Sequence, residues 1–163
     1  MDEQLYSLPN LVLSFQMTIK SRRDVLLEAL DRVMSLVQTL PCAEGDLADL
    51  RLAIAEALSN AVIHGNRKDP DKIVGICAAC DGQSRLLIAV TDQGDGFDPA
   101  VLPDPTTAEN ICSSHGRGVF LMKRLVDDVE FNLGGRQIVL RKRIATQLKT
   151  IEVSGGTVRT LER

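Results

Sequence analysis

From Leu11 to Ile19 apolar and polar residues alternate: Leu11, Leu13, Phe15, Met17 and Ile19 fall on one side, Ser14, Gln16 and Thr18 on the other. A period of two marks a half-buried β-strand. The period then lengthens. Val25, Leu26, Leu30, Val33, Met34 and Val37 recur at helical spacing, Ser21 stands where an N-cap belongs and Asp24 falls in the first turn, so a helix is expected to about Leu40. Pro41 and Gly45 break that pattern. Asp46 can cap a second helix, running to about His64, with Leu47, Leu50, Ile54, Leu58 and Ala61 as its apolar stripe and Gly65-Asn66 as its stop. Two strands follow, about 72–80 and 84–91, joined by Asp81-Gly82-Gln83, a hairpin signal. A polar stretch, about 92–115, leads to a third helix from near Gly116 to near Asp127. Strands at about 128–133 and 137–144 flank the turn Gly134-Gly135.

The order β-α-α-β-β-loop-α-β-β lacks a regular βαβ repeat. It predicts an α+β fold, a two-layer α/β sandwich whose mixed, mainly antiparallel sheet is covered on one face by helices. One domain is expected to about residue 144. Residues 145–163 form an extension in which Ile151–Val158 is either an extra hairpin or a loose tail.

Composition narrows the class. At 163 residues and 44% hydrophobic the chain suits one core, and with 3% aromatic residues that core must be aliphatic. A formal net charge of −3 weighs against a dedicated nucleic-acid binder; Arg141-Lys142-Arg143 is either a small basic patch or a solvated strand end. No stretch approaches the roughly 18 apolar residues that span a bilayer. Asp2 and Glu3 do not fit the basic-then-apolar order of a secretory signal, so a cytoplasmic location without membrane contact is expected. Cys77 and Cys80 have the spacing of half a zinc site, but residues three apart on a strand point to opposite faces, and reduced, partly buried thiols are the better reading for the four cysteines, Cys42, Cys77, Cys80 and Cys112.

Three segments carry candidate chemistry. In Glu56-Ala-Leu-Ser-Asn60-Ala-Val-Ile-His64-Gly65, Glu56, Asn60 and His64 are spaced i, i+4, i+8 and form one polar stripe on a helix whose other positions are mostly apolar. The stripe is either a solvent-facing surface or a working pair, in which the amide oxygen ligates Mg²⁺ and the carboxylate orients or deprotonates a nucleophile. Asp92-Gln-Gly94-Asp-Gly96-Phe97 follows a strand end: a common loop type, or a place where glycines let backbone approach a ligand while Asp92 accepts a hydrogen bond from an exocyclic amine. In Gly116-Arg117-Gly118-Val-Phe-Leu-Met122 glycines open a helix, whose N–H groups and dipole can face a phosphate beside Arg117. The sequence has no GxxxxGK[ST] and no GxGxxG after its first strand, so neither of those nucleotide folds applies.

Taken together and in this order, the three segments resemble the GHKL ATPase superfamily, and most closely the anti-sigma-factor serine kinases. The resemblance spans roughly residues 11–143. It implies a histidine-kinase-like ATPase domain of the Bergerat type over 1–144. Glu56 would be the general base acting on a serine hydroxyl, Asn60 the Mg²⁺ ligand and Asp92 the partner of the adenine amine. Gly94 and Gly96 would give the base room, Phe97 would belong to the same cofactor-binding loop, and Gly116, Arg117 and Gly118 would contact phosphates. His64 matches the motif with its role open between ligand contact and packing, and the segment from about 98 to 115 would be an ATP lid. The resemblance also implies ATP and Mg²⁺, a sigma factor held away from RNA polymerase, a small anti-anti-sigma protein of the STAS type phosphorylated on serine, and a homodimer using the first strand and helix. Two other readings stand beside it. One is a binding module that holds ATP without phosphotransfer. The other is the ATP domain of a histidine kinase acting alone, against which the lack of an upstream helix pair with a phosphoacceptor histidine counts. The tail beyond about 144 has no counterpart in the resemblance.

Overall fold

The computed structural model describes residues 11–38, 44–81, 85–98, 117–143, 148–153 and 156–161. Within them β1 (Leu11–Lys20) leads through a 3-10 turn, Arg23–Val25, into α1 (Leu26–Val37). Next come α2 (Glu44–Asn60), a π-helical turn (Ala61–Gly65), β2 (Ile73–Asp81), β3 (Arg85–Thr91), α3 (Arg117–Leu125), β4 (Asp128–Asn132) and β5 (Gln137–Arg143). These five strands form one sheet in the order β1-β2-β3-β5-β4, and every pairing is antiparallel. β6 (Leu148–Val153) and β7 (Gly156–Leu161) pair with each other as a separate two-stranded sheet.

The sequence pattern explains the layering. α1 buries Ala29, Leu30, Val33, Met34 and Val37 along one stripe, while Leu27, Asp31 and Arg32 stay outside. α2 packs against α1, α3, β3 and β5, which is why so much of it is apolar: Leu50, Ala53, Ile54, Ala57 and Leu58 all lie in the core. β3 is buried along Leu86–Val90, as a continuous apolar run in a central strand requires. Leu86, Ile88 and Val90 join the helical core, whereas Leu87 and Ala89 join Ala79 and Val139 in a smaller cluster, with Cys77 packed against it.

Two helix starts differ from expectation. Ser21 is wholly buried and its Oγ makes no hydrogen bond among the described residues. It ends β1 by donating its N–H to the Lys72 carbonyl, so the chain needs a further turn before it can become helical. Asp46 is not the cap of α2, which already begins at Glu44 with Gly45 inside it. The basic run at the end of β5 is absorbed locally. Arg141 pairs with Asp128 at 2.9 Å and Glu130 at 2.6 Å, and Lys142 donates to the Leu125 carbonyl at the end of α3. Cys42, Cys112, Gly82, Gln83, Gly116 and the expected lid beyond Asp98 lie outside the described residues. Among the described residues no helix is long and apolar enough to cross a membrane.

Candidate functional site

The polar stripe of α2 ends where the helix changes its winding. Asn66 N–H donates to the Ala61 carbonyl at 2.8 Å, a five-residue step that admits one extra residue per turn. Such π turns alter the phase of side chains on a helix and are common at functional sites. Beyond it Arg67 and Lys68 take left-handed φ angles of 55° and 61°, unusual for residues with a Cβ, which turns the chain sharply into β2.

This bend forms one wall of a cleft of about 230 Å³. Asn60, Ala61, His64, Gly65 and Arg67 contribute from the helix end; Asp92, Asp95, Gly96 and Phe97 from the loop after β3; Gly118 and Val119 from α3; Phe131, Gly135 and Ile138 from β4, β5 and their turn. Six of the ten expected site residues, Asn60, His64, Asp92, Gly96, Phe97 and Gly118, thus meet in one place. His64 lines the cleft from an exposed position. Glu56 sits behind Gly118: a Cβ on that glycine would lie 2.8 Å from Glu56 Oε2 and 3.4 Å from Asn60 Nδ2. A methyl group on Gly118 would need the Glu56 carboxylate to move aside. Arg117 opens α3 on its exposed side, and Gly116 lies outside the described residues.

Asp92 is held by contacts on several sides. Its Oδ1 accepts the Gly94 N–H at 2.7 Å, and its own N–H donates to the Arg136 carbonyl at 2.9 Å. Gly65 and Gly94 press against it so closely that a Cβ on Gly65 would collide with its carboxylate and one on Gly94 with the Gly65 carbonyl. Burial pushes the Asp92 carboxyl above its ordinary 3.8, against the opposing pulls of the Gly94 N–H, Arg136 and Lys72. The loop is held at its other end too. Phe97 N–H donates to the Gly134 carbonyl, and the Phe97 ring meets Phe131 edge-on with centroids 5.4 Å apart. Gly96, with φ of 78°, runs against the same Gly134 carbonyl.

These residues suit a purine nucleotide. Ala61, Val119, Phe131 and Ile138 offer apolar walls on which a flat base could pack, and Asp92 is a half-buried acceptor on the same cleft. Asn60 and Glu56, side by side next to Gly118, are the oxygen-bearing residues that could hold a divalent cation or act on a hydroxyl. The sequence pattern missed Arg67, Asp95, Phe131, Gly135 and Ile138. Arg67 pairs with Asp95 at 2.9 Å across the cleft mouth, a contact no spacing rule foretells. The alternation of β4 and β5 marks Phe131 and Ile138 as half-buried or buried, but only the β3-β5-β4 strand order brings their turn beside the Asp92 loop.

Comparison with known proteins identifies the family. The model of the histidine kinase-like ATPase domain matches residues 19–142. The anti-sigma F factor of Heyndrickxia coagulans is 30% identical over 139 residues, covering 82% of this chain and 92% of the relative. Serine-protein kinase RsbW of Bacillus licheniformis is 34% identical over 94 residues, 54% of this chain and 58% of that protein. A crystal structure of the RsbU and RsbW domains of a Mycobacterium tuberculosis protein superposes with a TM-score of 0.58 at 18% identity, over 82% of this chain and 32% of the other. The chain belongs to the histidine kinase-like ATPase domain family, in the group of the anti-sigma factors and serine-protein kinases.

Proposed function

We propose that the protein is an ATP-dependent serine kinase and anti-sigma factor that works by partner switching in the cytoplasm. One observation carries the reading: a single cleft is lined by a half-buried carboxylate, Asp92, together with Asn60 and Gly118, and the Glu56 carboxylate sits beside Gly118 behind that lining. Asp92 accepts a hydrogen bond from the adenine amine, and Gly94, Gly96 and Phe97 shape the space for the base. Asn60 ligates Mg²⁺ through its amide oxygen, while Arg117 and Gly118 at the start of α3 contact phosphates, as does Gly116, which precedes them in sequence. Bound there, ATP supplies the phosphoryl group and Mg²⁺ the positive charge that neutralises it. Glu56 takes the proton from an incoming serine hydroxyl, whose oxygen bonds to the γ-phosphorus as the bond to the bridging oxygen breaks and ADP leaves. His64, exposed at the wall, contributes to the cleft surface.

The partners follow from the anti-sigma relatives. A sigma factor is sequestered from RNA polymerase, and a small STAS-type anti-anti-sigma protein is both the competitor that releases it and the serine substrate. The working form is a homodimer built on the first strand and helix. In a phosphotransfer assay with the purified anti-anti-sigma partner, Glu56→Gln should lower the rate by about 10²-fold or more, the usual worth of a general base. Partner binding should stay unchanged. Phosphorylation that persists at the wild-type rate would show that Glu56 is not the base and would favour a binding module that holds ATP without phosphotransfer.

A further inference from the structure

Asn66 is a polar residue with no exposed surface. Its side chain is bonded at both ends: Oδ1 accepts the Gln93 N–H at 2.7 Å, and Nδ2 donates to the Ile73 carbonyl at 2.9 Å. The Ile73 N–H in turn donates to Gln93 Oε1 at 2.8 Å, which closes a ring of three residues. That ring joins the exit of the π turn, the first residue of β2 and the residue that follows Asp92. Gly65, the neighbour of Asn66 on its other side, presses on the Asp92 carboxylate. One buried amide therefore fixes both the loop that carries Asp92 and the wall against which its carboxylate rests. The Arg136 carbonyl holds the same loop from the sheet side through the Asp92 N–H.

We propose that Asn66 is a positioning residue for nucleobase recognition, and that it sets the preference of this cleft for adenine over guanine. The proposal rests on the reading of Asp92 as the adenine partner. Adenine presents an amine donor at the position where guanine presents a carbonyl acceptor. A carboxylate held in place accepts from the first and is left unpaired against the second. If the loop can shift, water enters between carboxylate and base, and either base is served by the intervening water. Discrimination then falls even where affinity survives. A purely structural residue behaves differently: its loss lowers the folded fraction and scales the binding of both nucleotides equally.

The test is the ratio of GTP to ATP dissociation constants, measured by calorimetry for wild type, Asp92→Asn, Asn66→Ala and Gln93→Ala. Wild type should prefer ATP, and Asp92→Asn should lose that preference. Asn66→Ala should reduce the ratio roughly tenfold, the worth of about one hydrogen bond. Gln93→Ala opens the same ring at an exposed side chain and should shift the ratio in the same direction by a smaller factor. Should Asn66→Ala fail to fold, Gln93→Ala decides the matter alone. A ratio that stays at the wild-type value in the folded ring variants, while Asp92→Asn abolishes it, overturns the role of Asn66 and leaves the adenine reading standing. A wild type without preference, or an unaffected Asp92→Asn, overturns both.

Discussion

Asp92 carries a built-in conflict between folding and binding. Burial raises its carboxyl above 3.8, so at neutral pH the folded protein holds a charge that it would hold more comfortably in water. The sign follows from linkage: between the ordinary and the raised value the folded state binds more protons than the unfolded one, so stability falls as pH rises through that window. An asparagine keeps an oxygen for the Gly94 N–H and removes the charge. Asp92→Asn should therefore melt higher than wild type at pH 7, with the advantage shrinking as pH falls toward 3.8 and below. Thermal melts across pH measure this directly. ATP affinity should move the opposite way, since the amide presents a weaker acceptor to the adenine amine. A variant that is more stable yet binds worse is the signature of a charge retained for a ligand.

At the scale of elements, α3 meets α2 through a glycine that has no helical advantage. Gly118→Ala adds helix propensity, at most about 1 kcal/mol. Its methyl group would enter the space of Glu56 Oε2, 2.8 Å away, and the flexible carboxylate would have to move. The expected outcome is unchanged or slightly raised stability with phosphotransfer reduced roughly tenfold or more, since small displacements of a catalytic group are costly. A folding-stability curve and a phosphotransfer rate on the same preparation separate the two effects. The sequence made most elements legible to within a few residues, because the apolar period changes cleanly from two to 3.6 between Ile19 and Val25 and back again at Ile73. The departures have local causes. Ser21 looked like a cap, yet its backbone is committed to β1 through Lys72, and the first helical turn starts later. The π turn at Ala61–Gly65 was not legible, since one extra residue in a helix leaves the apolar pattern almost intact and is defined by the Asn66-to-Ala61 hydrogen bond.

For the whole molecule, the site is a product of strand order. Helix, loop and glycine segments were each readable as candidates, and their joint order carried the resemblance to the anti-sigma-factor kinases. How they meet was not readable from any one of them. β5 lies between β3 and β4, so the Leu133–Arg136 turn returns to the Asp92 loop and holds it through Arg136 and Gly134, while Asn66 holds it from the helix side. The loop is fixed from two directions and opens between them onto apolar walls. That geometry is suited to a base bound at one end and phosphoryl chemistry at the other. Calorimetric titration of the purified chain with ATP, with and without Mg²⁺, tests this most directly. The account predicts one ATP per chain, bound tightly only when Mg²⁺ is present and weakened by Asn60→Ala; absence of ATP binding under both conditions would contradict it.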